Sequence, residues 1–240
     1  MPTPAYDADA AALLKALLIT IEKNVIPLTA TGASSGSKLS GAAILSKSNL
    51  APLTVATNNE GASPLLHGEV NCIQKFFAQT SSQNATGTSK PPSTRRPDPR
   101  DCVFLATHEP CSLCLSGIAW SGFDNVFYLF TYEDSRDLFA NPYDIEVLQE
   151  VFRVPAVPTA TGSKKVEEDR DARPLYNRRN KFFTARSFGD LVREVTEKHG
   201  DREGRKWDDE VRRVKALYNG LRDTHQKSKT GYVHSGSFWK

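Results

Sequence analysis

Apolar residues recur at helical and strand periods along most of the chain. Leu13, Leu14, Leu17, Leu18 and Ile21 fall three or four apart, the spacing of a helix with one buried face. Asp7 or Asp9 is placed to cap that helix, and Pro27 is expected to end it, near Asn24. The stretch TATGASSGSK (29–38) is a loop by composition. LSGAAILSK and PLTVATN then read as two short strands, with SNLA turning a hairpin between them. Helical spacing returns at Val70, Ile73, Phe76 and Phe77. DCVFLATHE is a compact apolar strand, PCSLCLSGIAWSGF a helix with proline at its start, NVFYLFTY a second buried strand, and YDIEVLQEVF a helix. Two further helical patterns follow, TARSFGDLVREVTEKH and WDDEVRRVKALYNGLRDTH.

Two stretches break the periodicity. Residues 81–100 carry four prolines and no apolar repeat, so a loop or surface excursion is expected there. Residues 155–173 are rich in Pro, Thr, Gly and charge and read as a linker. This divides the chain into 1–154, a domain of alternating strands and helices, and 174–240, a basic helical extension packed on or near it. Alternation of strands and helices predicts an α/β fold, a three-layer α/β/α sandwich around a central mixed sheet of about five strands. EVFRVPAV (150–157) is the candidate for the fifth strand.

The chain has 240 residues, 39% of them hydrophobic and 25% charged, which suits one large soluble domain with additions. The apolar stretch of the first helix is short and holds Lys15, whereas a membrane span needs about 20 apolar residues. No basic leader precedes it, so an intracellular, cytoplasmic location is expected, the nucleus included. Four cysteines, Cys72, Cys102, Cys111 and Cys114, are then expected as thiols or metal ligands rather than disulfides. The net charge of +3 hides an asymmetry: residues 1–150 hold 10 Lys+Arg against 15 Asp+Glu, and residues 151–240 hold 21 against 13. The basic third could meet nucleic acid or lie against the acidic part of its own chain.

Chemistry concentrates in two short motifs. Cys111 and Cys114, in PCSLC, would share one face of a helix's first turn, where the helix dipole favours thiolate, the form that binds zinc. His67 also precedes a helical run. One imidazole and two thiolates make the three protein ligands of a catalytic Zn2+ whose fourth position stays open. Glu69, two residues from His67, would carry protons for the attacking water. Taken singly, each motif has ordinary explanations: a helix start for HGE; a redox pair, a half zinc finger or core for CxxC. A zinc finger lacks its fourth ligand here, since no H-x₃₋₅-H follows. H-x-E followed by P-C-x-x-C is the pattern of zinc deaminases of nucleobases, with the glutamate as acid and base.

On these residues the chain resembles the cytidine deaminase-like superfamily, especially its cytosine, guanine and transfer-RNA adenosine deaminase branch. LLHGEVN is similar to the family's H-[AG]-E helix start, and its HGE form to that of fungal cytosine deaminases. ATHEPCSLCLSGIAWSGFDNVFYLF is similar to the family's T-x-E-P-C-x-M-C-x-x-A-I segment and the following strand. The resemblance covers roughly residues 10–150. It implies five strands with helices on both sides, one Zn2+ per active site and commonly a homodimer. It also implies a substrate contact from an asparagine ahead of the histidine, here Asn58 or Asn59. Glu109, in the E-P-C pattern, and Glu133 and Asp134, after the fourth strand, are further candidates for the pocket. His108 is not expected as a ligand. Leu113 is expected in the core, and Trp120 and Phe123 in the core or a dimer interface.

The implied activity is hydrolytic deamination of a nucleobase or related aminated heterocycle, cytosine- or guanine-deaminase-like, releasing ammonia. An RNA-editing adenosine or cytidine deaminase is the alternative, motivated by RPLYNRRNKFFTAR in the basic segment. A non-catalytic zinc-binding partner subunit is a third, against which Glu69 speaks.

Overall fold

A computed structural model describes residues 6, 8–33, 37–84, 97–153 and 174–229, with the side chains of 79–84 and 227–229 left aside. Asp9 caps helix α1 (Ala10–Thr20), its carboxylate accepting the Ala12 amide at 2.8 Å. The helix does not end at Pro27. It widens into a π-helical turn, Ile21–Val25, and continues as α2 (Ile26–Ala33). In that turn the Ile26 amide bonds the carbonyl of Ile21, five residues back. The regular ladder is already broken there, so the missing amide of Pro27 costs little. Residues 29–33 of the expected loop at 29–38 are therefore helical, and 34–36 lie outside the described residues.

The hairpin forms as read. Strand β1 (Gly41–Ser46) pairs antiparallel with β2 (Pro52–Thr57). Its other edge pairs antiparallel with β3 (Cys102–His108), which runs parallel to β4 (Asn125–Phe130). The described part of the candidate fifth strand, residues 150–153, is not strand. Leu148–Phe152 is a π-helical turn following helix α6 (Tyr143–Val147), and residues 154–157 lie outside the described part, as does the 155–173 linker. β5 is Thr184–Ser187, parallel to β4, and the sheet order is β2-β1-β3-β4-β5. A strand of four residues, TARS, shows too little alternation to be separated from the helix that follows. Ser187 ends it and opens α7 (Phe188–His199) through a capping box with Asp190.

Alternation along the strands sorts side chains into two cores. Ala43, Leu45, Val103, Leu105, Phe127 and Leu129 face α1, α7 and α8 (Asp201–Ala216). Ala42, Ile44, Phe104, Ala106, Val126 and Tyr128 face α3 (Gly68–Asn84) and α4 (Ser112–Trp120). The molecule is thus an α/β/α sandwich on a five-stranded mixed sheet. Phe123 is buried in the second core, but Leu113 and Trp120 are not core: they are 40% and 92% exposed on α4.

The last two helices, α8 and α9 (Tyr218–Lys229), carry much of the basic charge. That charge is extensively paired. Arg213 reaches Glu22 of the first helical segment at 3.0 Å and Lys215 reaches Asp134 at 2.7 Å. Arg186 pairs with Glu194, Lys206 with Glu203 and Arg212 with Asp208 within the segment itself. Among the described residues, no helix is long and apolar enough to cross a membrane.

Candidate metal centre and active site

Both motifs leave the same end of the sheet. β2 and β3 each pair with β1, so the end of β2 and the end of β3 lie beside Gly41, the first residue of β1. The chain after β2 turns back over this end and enters α3 at Gly68. Asn58 fastens that entry: its side-chain oxygen accepts the Gly68 amide at 2.6 Å. Asn71, one turn on, donates to the carbonyl of Thr57 at 2.8 Å. Gly68 itself presses on the strand, since a Cβ there would stand 2.9 Å from the Gly41 Cα. On the other side β3 runs into Glu109 and Pro110, and Cys111 is the N-cap of α4, with extended backbone.

These two helix starts bring His67, Cys111 and Cys114 together. The His67 Nδ1 lies 3.4 Å from the Cys111 Sγ and 3.6 Å from the Cys114 Sγ, and the three donor atoms sit within 4.8 Å of one another. Glu69 is buried beside them, with its Oε2 3.4 Å from the Cys114 Sγ. Hydrogen bonding to Cys111 pulls His67 up to about 9. Bonding from Cys114 and then from His67 holds Cys111 well below the usual thiol range, while bonding to Cys111 and burial push Cys114 up. Burial lifts Glu69 to about 7. One imidazole nitrogen and two sulfurs converging in this way match the soft, tetrahedral preference of Zn2+, and the cluster fits one such ion.

A cleft of about 240 Å³ opens onto the cluster, at the small end of ligand pockets. Asn58, His67, Glu69, Glu109 and Cys111 line it. Asn59 does not: it is exposed, and its backbone carbonyl accepts the amides of Ala62 and Ser63 in a turn. Glu133 and Asp134 are also elsewhere, which corrects the expectation drawn from the resemblance. Asp134 is bound up in a capping box with Thr131 and in the ion pair with Lys215. Glu133 borders a separate hollow near Arg136 and Tyr176. Glu109 reaches the cleft, but its carboxylate is tied to Tyr132, Tyr176 and Arg178.

A further acid, Asp144, also enters the cleft, pushed up to about 6 by burial and then by the negative charge of Cys111. It opens α6, in the stretch read only as a helix, and nothing local in YDIEVLQEVF marks it. His108 also lines the cleft, outside the metal cluster. Its ring stacks on Phe130 at 4.9 Å and meets Phe139 edge-on at 4.8 Å. Arg222, His225 and Gln226 of α9 complete one wall.

Residues 25–130 match the family described as the cytidine and deoxycytidylate deaminase zinc-binding region. Among solved structures the chain is similar to a guanine deaminase from Nitrosomonas europaea, at 14% identity over 87% of this chain and 88% of that one, TM-score 0.39. It is similar to a guanine deaminase from Bacillus subtilis at 21% identity, over 68% of this chain and 97% of that one, TM-score 0.41. A structure from work on tRNA:A34 deaminases is similar at 13% identity, over 52% of this chain and 78% of that one, TM-score 0.32. No curated protein matches the chain. His67, Cys111 and Cys114 are gathered inside this matched stretch, so residues 25–130 are similar to a zinc-binding deaminase region at the very residues that could hold the ion.

Proposed function

We propose that the protein is a hydrolytic deaminase of an aminated heterocycle of nucleobase size. The observation that carries this is the place of Glu69: a buried carboxylate 3.4 Å from a cluster sulfur, at the inner end of the cleft. His67, Cys111 and Cys114 would hold the ion, and Zn2+, when bound, supplies Lewis acidity that eases deprotonation of water. Glu69 accepts the proton of the water that attacks the ring carbon bearing the amine. It delivers that proton to the neighbouring ring nitrogen, then carries the proton of the new hydroxyl to the amine, so the C–N bond breaks, a carbonyl forms and the amine leaves as ammonia. Asn58 offers its amide to the ring from the cleft wall. Asp144 supplies an acceptor there, which suits a ring with adjacent N–H donors, as in guanine.

The ion pairs of the C-terminal segment favour a free heterocycle over RNA, because they neutralise many of the cations that phosphates would need. The presence of Glu69 favours an enzyme over a silent partner subunit. A homodimer in the cytoplasm belongs to the same reading, and the exposed Trp120 is placed to serve such an interface.

The test is ammonia release by purified protein from cytosine, guanine, adenine and their nucleosides. Glu69→Ala should retain zinc and lose at least about 100-fold in kcat, within the range of acid–base contributions. In the same assay Asp144→Asn should weaken use of guanine more than of cytosine. Turnover by Glu69→Ala at the wild-type rate would overturn the reading. A salt-dependent RNA gel shift would turn it toward editing.

A further inference from the structure

Glu109 is a buried carboxylate that the proposed chemistry does not use. Its side chain is 0% exposed. Three donors hold it: the Tyr176 hydroxyl at 2.9 Å and Arg178 at 3.0 Å on one oxygen, and the Tyr132 amide at 3.1 Å on the other. The Tyr132 hydroxyl also donates to the carbonyl of Pro110 at 2.6 Å. Arg178 lies over the Tyr128 ring, 5.6 Å from its centroid. Only Pro110 separates Glu109 from the ligand Cys111. The Glu109 amide is itself pinned to the Phe130 carbonyl at 2.8 Å, so the backbone entering the metal loop is held on both sides.

We propose that Arg178 and Tyr176 are positioning residues for the zinc site: by fixing the Glu109 carboxylate they set the path of Pro110–Cys111 and so hold the Cys111 sulfur against His67. Both residues lie more than forty positions beyond the matched zinc-binding region, so the centre draws part of its support from the C-terminal segment. An uncompensated buried carboxylate would seek water or a proton, and moving it drags the adjacent ligand. Groups behind metal ligands typically change metal affinity by about 10- to 100-fold when removed. The inference rests on the zinc cluster and not on the identity of the substrate.

The experiment measures zinc release from the full-length protein to a chromogenic chelator, without any activity assay. Arg178→Met should release zinc at least about tenfold faster than wild type. Arg178→Lys, which keeps the cation, should recover most of that loss. Glu109→Gln combined with Arg178→Met should also recover it, because a neutral amide keeps its contacts and needs no counter-charge. Wild-type release from Arg178→Met overturns the proposal, and so does equally fast release from the double variant. If Arg178→Met does not fold, Tyr176→Phe decides: faster release supports the proposal and an unchanged rate overturns it. Wild-type protein that never binds zinc would instead overturn the metal assignment on which the proposal stands.

Discussion

Position 68 shows how little room the site leaves at the scale of one residue. A methyl group on Gly68 would meet the Cα and amide of Gly41 and the carbonyl of Ser40, at 2.9, 3.1 and 3.1 Å. These are backbone atoms and cannot swing aside. Gly68→Ala should therefore push the start of α3 away from β1, costing about 1–3 kcal/mol and lowering zinc content by shifting His67. Gly61→Ala is the control, since nothing lies within 4 Å of its added carbon. Denaturant melts and metal analysis of the two variants check this; equal behaviour would show that the contact carries no strain. The gathering of His67, Cys111 and Cys114 with Glu69 beside them was legible because each pair lies within three positions of sequence. Asn58 was half legible, one of two adjacent asparagines. Only burial separated it from Asn59, which faces water.

Elements explain what the motifs could not. His108 ends β3, and the ring is shut in by Phe130 of β4, by Phe139 at the end of helix α5 (Tyr132–Phe139), and by Tyr218 of α9. Burial pulls it down to about 4, with Asp134 raising it and Lys215 lowering it. The folded protein therefore keeps His108 neutral where the unfolded chain, with an ordinary value near 6.5, takes up a proton. Between those values the unfolded state binds more protons, so stability falls as pH drops from about 6.5 toward 4. The full shift corresponds to about 3 kcal/mol; an imidazole edge still on the cleft leaves about 2 kcal/mol. Urea melts at pH 7 and pH 4.5 should show this loss in wild type and much less of it in His108→Gln. An unchanged slope in the variant would assign the acid sensitivity to other groups. The same scale holds the misread boundaries. Pro27 signals a stop that the π-helical turn absorbs, and TARS pairs with β4 only because that edge is open to it.

For the whole molecule, the important fact is where the sheet ends. β5 and the buried Phe188, Leu191, Val195, Val214 and Tyr218 come from beyond residue 183, and they cover the face formed by Phe127, Leu129 and Phe130. A chain ending at Arg153 would leave that face and the β4 edge in water. It should fail to give a cooperative thermal transition by circular dichroism, whereas the full chain should melt in one step. A cooperative melt of the short chain would make the C-terminal segment an accessory. The charge asymmetry takes its meaning at this scale too. Part of the basic excess reaches across the fold, Arg213 to Glu22 and Lys215 to Asp134, and part is balanced within its own helices.

From the sequence alone came the strand and helix alternation, the hairpin, the three residues of the metal cluster and the glutamate beside them. Each of these is encoded locally, by side-chain period or by two or three residues of matched chemistry. Tertiary structure decided the rest: which asparagine faces the cleft, that Asp144 rather than Glu133 or Asp134 enters it, and that Arg178 braces a ligand loop some 67 positions earlier in the chain. Those outcomes depend on which ends of the strands meet and on which carboxylates find a cation. Such contacts join residues far apart in the chain, and no local pattern records them.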